Sequence, residues 1–294
     1  MNPNAVLDIA LPLTLFAIML SMGTTLRLSD FRVMAQQPRP LLVGIFAQMV
    51  LLPLLTVGVI SLFDLPPELF VGFMILAFSP GGTTSNLFSY LAGGRLALSI
   101  TLTAMVSIIT PVTLPLLTAL VLEWRLGVDS DISLPFLPTL AKLSLVTLLP
   151  LALGMALHRH YPNLCRLRRR LITRLPLSAL FLVILAIIIN ERDAMVSLLQ
   201  LTALPALLIA SLALIGGYRF ARSSGCSTVD AHTIAIETGI QNGGTAILIT
   251  GTILHNPTMT SAAVMYGILM LLPTALYILW AQQRNQQPQQ MICD

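Results

Sequence analysis

Glu237 is the one acid set deep within an apolar run of this chain, and Gln241, four residues on, shares its helix face. Ser99 and Thr103 have the same spacing in an earlier run. Ser85 and Asn86 follow a Pro-Gly-Gly interruption, and Gln48 sits midway along another apolar stretch. A buried acid costs about 2.5–3.5 kcal/mol on membrane-insertion scales, so Glu237 needs a partner or a proton. One carboxylate among amide, hydroxyl and backbone carbonyl oxygens suits a hard monovalent cation such as Na⁺. A transition metal would call for His or Cys, and neither falls mid-run. His158, His160, His232 and His255 lie near run ends, where interfacial solvation is their expected state. Lys142, the sole lysine, stands about two helical turns into its run, and a Glu237–Lys142 pair is the alternative to cation binding. Taken singly, Ser99 and Thr103 read as hydroxyls bonded back onto their own helix.

The elements that must carry these residues follow from composition. Of 294 residues 56% are hydrophobic and 10% charged, with mean hydropathy +0.87, whereas soluble domains carry about 25% charged residues. So few charges cannot cover a soluble exterior, and the apolar runs are each about twenty residues long. The expected fold is an all-α polytopic membrane protein. Nine spans are read near 4–26, 39–62, 67–92, 95–122, 134–157, 171–190, 197–221, 228–255 and 258–281. The loops are too short for a separate soluble domain. Residues 1–284 form one transmembrane domain, and 285–294, rich in Gln, read as a disordered tail.

The net charge of +4 speaks for orientation rather than for nucleic acid, because the basic residues cluster in alternate loops. No basic residue precedes the first run, and Arg27 and Arg32 follow it, which suits a retained anchor with its N-terminus outside. Arg39, Arg95, Arg159, Arg166, Arg168, Arg169, Arg170, Arg174, Arg219, Arg222 and Arg284 then fall on the cytoplasmic side. Arg125 and Arg192 are the outer exceptions, beside Asp64, Glu68, Glu123, Asp129, Asp131, Glu191 and Asp193. The Arg166–Arg174 cluster reads first as a topological anchor and second as a lipid-headgroup or regulatory site. Cys165, Cys226 and Cys293 lack paired spacing and read as free thiols, with no disulfide framework or zinc site.

Two spans are interrupted. In the third, Ser79-Pro80-Gly81-Gly82-Thr83-Thr84-Ser85-Asn86 parts two helical stretches; in the eighth, Glu237-Thr238-Gly239-Ile240-Gln241-Asn242-Gly243-Gly244-Thr245 does so. Broken backbone at membrane depth is tolerated around a cavity or a ligand, although Gly-Gly pairs also permit close helix packing. The two lie five spans apart and so cross in opposite directions, the pointer to a secondary transporter with inverted repeats.

Ser79–Asn86, followed by Ser89-Tyr90-Leu91-Ala92 and Ala97-Leu98-Ser99-Ile100-Thr101-Leu102-Thr103, resembles the first signature of the bile acid:sodium symporter (BASS) family. Glu237–Asn242 resembles the second. The likeness runs from about residue 5 to 281, including Leu28-Ser29-Asp30-Phe31 and Ala47-Gln48. It looks like a bacterial-type homologue of the apical bile acid transporter in a nine-span form. The resemblance implies a sodium-coupled organic anion symporter in which a panel (about 4–27 and 134–190) flanks a core (about 39–122 and 197–284) where two broken helices cross. It implies two Na⁺ sites, one at Ser85, Asn86, Ser99, Thr103 and Glu237. The other takes Gln48, Glu237 and Gln241, with backbone carbonyls at Thr238 and Ile240. Substrate is implied near Thr83 and Asn242, where Thr84 and Thr245 add polar groups.

The chain departs from some relatives in its last span, where Val264–Leu271 lacks a polar pair facing the substrate, and this leaves the substrate open. Bile-acid-like amphipaths and small monocarboxylates such as pantoate are the implied candidates. A proton-coupled carrier or cation/proton antiporter is the alternative. An enzyme is not expected, since no mid-span nucleophile with a base stands out. The expected partners are the solute, sodium and the bilayer of the inner (plasma) membrane, with no oligomer required.

Overall fold

The computed structural model describes residues 3–27, 37–127, 132, 134–190 and 192–290. Among them, every regular element is a helix. These are α1 (Pro3–Gly23), α2 (Pro38–Ile60), α3 (Pro67–Phe78), α4 (Thr83–Leu91), α5 (Leu96–Leu126), α6 (Phe136–His160) and α7 (Pro162–Leu167). There follow α8 (Arg169–Asn190), α9 (Arg192–Ser223), α10 (Thr228–Gly239), α11 (Gly243–Ile253), α12 (Pro257–Leu269) and α13 (Leu271–Gln290).

Among the described residues, six stretches are long and apolar enough to cross a membrane: α2, α5, α6, Leu171–Ile189 of α8, Leu198–Ser223 of α9, and Pro257–Arg284 through α12 and α13. The chain is thus an all-α, multi-pass membrane protein. The other three expected spans hold shorter apolar stretches among the described residues: Ile9–Gly23 within the 21-residue α1, α3 and α11. In two of them the cause is the break itself, which cuts one run into α3 and α4 and another into α10 and α11. Helix α13 runs to Gln290, past residue 284 where the tail was expected to begin, in keeping with the fair helix propensity of Gln. Leu28-Ser29-Asp30-Phe31, Arg32, Asp129, Asp131, Glu191 and Cys293 lie outside the described residues.

Proline sets much of the local geometry. Helices α2, α3, α7 and α12 begin on Pro38, Pro67, Pro162 and Pro257, where the missing N–H goes unneeded. Inside α2 and α6, one π-helical turn (Ala47–Leu51 and Ser144–Leu148) stands just before Pro53 and Pro150. A proline ring presses on the carbonyl one turn back and leaves it without a donor, and widening the turn accommodates both. The turn in α2 carries Gln48.

Helix α1 lies against α6 and α8, α9 runs along α10, and α3 packs between α5 and α12. The α1–α6 approach is backbone on backbone: a Cβ on Gly23 would strike the Leu151 carbonyl, and one on Gly154 the Leu20 carbonyl. Small residues that let helices close in this way are the usual packing device where lipid supplies no hydrophobic drive. Phe70, Phe73 and Tyr266 are the largest side chains fully enclosed.

Candidate functional site

The two breaks meet. Helix α3 stops at Phe78 because Ser79 turns extended (φ −71°, ψ 154°) ahead of Pro80, and α4 restarts after an extended Gly82. Helix α10 stops at Gly239, with Ile240 extended (φ −104°, ψ 110°), and α11 restarts where the Asn242 carboxamide accepts from Thr245 N at 3.3 Å. Gly81 and Gln241 pair as an antiparallel bridge, and Asn242 N donates to Pro80 O at 2.8 Å. Two helix C-termini and two N-termini therefore converge. Their dipoles favour cations at the first pair of ends and anions at the second.

Glu237 lies in the last turn of α10, 1% exposed. Its Oε1 accepts from Ser85 Oγ (2.6 Å) and Ser99 Oγ (2.5 Å), and its Oε2 from Thr103 Oγ1 (2.7 Å). Each hydroxyl also has a second acceptor in reach. For Ser85 it is Gly82 O at 2.6 Å, for Ser99 Asn86 Oδ1 at 2.8 Å, and for Thr103 Ser99 O at 3.1 Å. A hydroxyl carries one proton, so this cluster holds more lone pairs than protons. Oxygen-rich and proton-poor is the condition that a bound cation satisfies. Thus Ser85, Ser99 and Thr103 touch Glu237 directly, and Asn86 joins through Ser99.

Of the second expected set, Gln48 and Gln241 also come near Glu237. A Cβ built on Gly81 would lie 2.7 Å from Glu237 Oε2 and 3.2 Å from Gln48 Nε2, so Gly81 fills the gap between these side chains. Gln241 Nε2 donates to the carbonyls of Glu237 (3.2 Å) and Thr238 (3.0 Å). Its Oε1 is buried without a partner, as are both amide atoms of Gln48. Buried polar atoms are nearly always paired, so these oxygens stand ready for a ligand. Ile240 lies in the extended link between them. At the start of α11, Asn242 Nδ2 and Thr245 Oγ1 are likewise buried and unpartnered, while Thr83 and Thr84 are partly exposed.

One alternative is set aside and one expectation changes. Lys142 does not pair with Glu237: its Nζ lies 3.5 Å from the Thr252 carbonyl, and hydroxyls surround the acid instead. His232 is not solvated. It is buried, with Nδ1 2.9 Å from Tyr277 Oη, inside a ring cluster with Tyr218 and Trp280. In the last span the Tyr266 hydroxyl donates to Gly239 O at 3.1 Å. Gly81 and Tyr266 are the site residues that sequence reasoning passed over. The Gly-Gly pair marked Gly81 only as a hinge, and nothing local marks Tyr266.

The Sodium Bile acid symporter family matches residues 12–213. The match spans Gln48, the first break, Ser99 and Thr103, and ends before α10. Glu237 and Gln241 are joined to the site by their contacts. "Probable sodium/metabolite cotransporter BASS1, chloroplastic" of Arabidopsis thaliana is 28% identical over 270 residues, 92% of this chain and 66% of the relative. "Uncharacterized sodium-dependent transporter YocS" of Bacillus subtilis is 25% identical over 266 residues, 90% of this chain and 76% of the relative. The human "P3 protein" is 29% identical over 245 residues, 82% of this chain and 50% of the relative. The chain thus spans from 50% to 76% of the length of these relatives. With the match covering most of its length, the chain belongs to the sodium bile acid symporter family.

Proposed function

We propose that this protein is a sodium-coupled secondary active symporter of organic anions, working by alternating access in the plasma membrane. The observation that carries the reading is Glu237, a buried carboxylate whose three hydroxyl donors each face two acceptors. One Na⁺ at Ser85, Asn86, Ser99, Thr103 and Glu237 would relieve that competition. A second would take the unpartnered oxygens of Gln48 and Gln241, with Glu237 and the carbonyls of Thr238 and Ile240. Sodium is cargo here, bound and released in each cycle. The relatives' names, a sodium/metabolite cotransporter and a sodium-dependent transporter, support sodium coupling and leave the solute open.

The solute's carboxylate would meet Asn242 Nδ2 and Thr245 Oγ1 at the start of α11, with Thr83 and Thr84 at the start of α4. These are anion-favouring helix ends. The wider frame is nine spans, N-terminus out and C-terminus in, with α1, α6 and α8 as panel beside a core of the remaining long helices. Bile-acid-like amphipaths and small monocarboxylates such as pantoate are the solutes to try first.

Proteoliposomes test this directly. An inward Na⁺ gradient should drive accumulation of a labelled monocarboxylate, and replacing Na⁺ by K⁺ should stop it. Accumulation driven by a pH gradient without Na⁺ would select the proton-coupled reading instead.

A further inference from the structure

The corner where α6 ends, α7 runs and α8 begins gathers cations that, among the described residues, no carboxylate answers. Arg159, Arg166, Arg168 and Arg174 are exposed there, with Arg169 and Arg170 between them in sequence. No Asp or Glu occurs from Ile132 through Asn190. Among the described residues, none of the four exposed guanidiniums has a carboxylate partner; the ion pair that forms is Arg95–Asp230. Such a cluster repels itself unless an outside anion covers it.

Helix α7 supplies a second feature at the same corner. Tyr161, Leu164 and Leu167, three residues apart, are 61%, 48% and 81% exposed, while Cys165, about 100° round the helix from Leu164, is 6% exposed. The apolar stripe continues to Leu171 at the start of α8, 54% exposed. An outward stripe of leucines bordered by arginines and led by a tyrosine matches the boundary between acyl chains and headgroups. Guanidinium forks fit phosphate oxygens two at a time.

We propose that this corner binds the headgroups of anionic phospholipids, with α7 lying in the membrane interface. The occupant is an anionic glycerophospholipid of the adjoining leaflet. Its phosphate meets Arg166, Arg168 and Arg174, and its chains run along Leu164, Leu167 and Leu171. Placement of the corner at a leaflet edge follows from α6 and α8, whose apolar lengths both end there.

The test uses wild-type protein reconstituted in vesicles of phosphatidylcholine with a minor share of phosphatidylglycerol. After extraction, the lipid retained per protein is measured by mass spectrometry. Wild type should be enriched in phosphatidylglycerol, and each arginine removed in Arg166→Gln, Arg168→Gln and Arg174→Gln should lower that enrichment about fivefold. The matching lysine variants should keep most of it, and added salt should weaken it in wild type. Should one glutamine variant fail to fold, the other two and the wild-type salt series decide. Equal enrichment in wild type and a folded glutamine variant overturns the proposal. So does inorganic phosphate in detergent raising the melting temperature of wild type as far as phosphatidylglycerol does, which would mark a free-anion site. A soluble protein that displaces phosphatidylglycerol without loss of affinity in neutral vesicles overturns it too.

Discussion

Asn242 N donates to Pro80 O across 2.8 Å, although the two residues sit in helix breaks on opposite sides of the sequence. Together with the Gly81–Gln241 bridge, this bond ties the extended part of one interrupted helix to the other. The residues around the Glu237 carboxylate and those proposed to face the solute are therefore tied together through backbone. A change at either break is felt at both.

Glu237→Gln should abolish Na⁺-dependent uptake in proteoliposomes. The amide keeps the shape and loses the charge shared by both expected ions. Sodium that binds only the folded state raises stability by about 2.7 kcal/mol at a hundredfold excess over its dissociation constant. The melting temperature of wild type should accordingly climb with Na⁺ concentration and that of Glu237→Gln should stay level. Unchanged sodium dependence in the variant would remove the ion assignment.

Gly81→Ala places a methyl 2.7 Å from the carboxylate of Glu237, whereas the nearest atom to a Cβ on Gly82 is the mobile Thr84 hydroxyl at 3.3 Å. Overpacking typically costs about 1–3 kcal/mol. Uptake measured against Na⁺ concentration should show Gly81→Ala needing about tenfold more sodium or failing outright. Gly82→Ala should stay within a few-fold of wild type, and equal behaviour of the pair would argue against a site centred between Gly81 and Glu237.

If two Na⁺ enter with one monoanion, one positive charge crosses per cycle. Each 100 mV of inside-negative potential then contributes about 2.3 kcal/mol. A valinomycin-imposed potential should speed accumulation of a labelled monocarboxylate. Indifference to that potential would favour one sodium per anion.

Much of this arrangement is legible in the sequence because its signals are local. Pro80-Gly81-Gly82 breaks a helix wherever it occurs, and the four-residue spacing of Ser99 and Thr103 puts both hydroxyls on one face. Contacts between distant segments are another matter. Ser85 meets Glu237 across 152 positions, and no periodicity encodes that meeting; family resemblance supplied the pairing before the geometry did. His232 shows the opposite outcome. Its place near a run end suggested solvent, but Tyr277, 45 positions away, and the Trp280 ring enclose it. Tyr266 escaped notice for the same reason, since its acceptor is a bare backbone carbonyl on another helix.

Away from the break, Arg95 Nε holds the buried Asp230 at 3.1 Å and its backbone N–H donates to Thr233 Oγ1 at 2.7 Å. These contacts fasten the start of α5 to the start of α10. Asp230→Asn should lower stability by about 1–3 kcal/mol, read as a fall in melting temperature, with little change in the sodium concentration needed for half-maximal uptake. A large change in that concentration would show that the fastening also shapes the ion site.

Orientation is open to a direct check. A cysteine placed at Arg168 should react with an impermeant thiol reagent only once the membrane is opened from the cytoplasmic side, and one at Asp129 should react in intact cells. Cys165 and Cys226 are buried, which keeps their background labelling low. The reverse pattern would invert the proposed topology.

The glycine contact between α1 and α6 bears on how such a molecule can move. Where Gly23 and Gly154 meet, backbone rests on backbone and no side chain intervenes to change rotamer. Two helices packed that closely would tend to move together. At Gly244 the neighbours are of another kind. Leu15 of α1 and Leu180 of α8 offer methyl groups 3.5–3.6 Å from where a Cβ would stand. Methyls at ordinary contact distance slide over a surface without breaking a hydrogen bond. A movement of α11 against α1 and α8 would run along this apolar seam, beside the groups proposed to hold the anion.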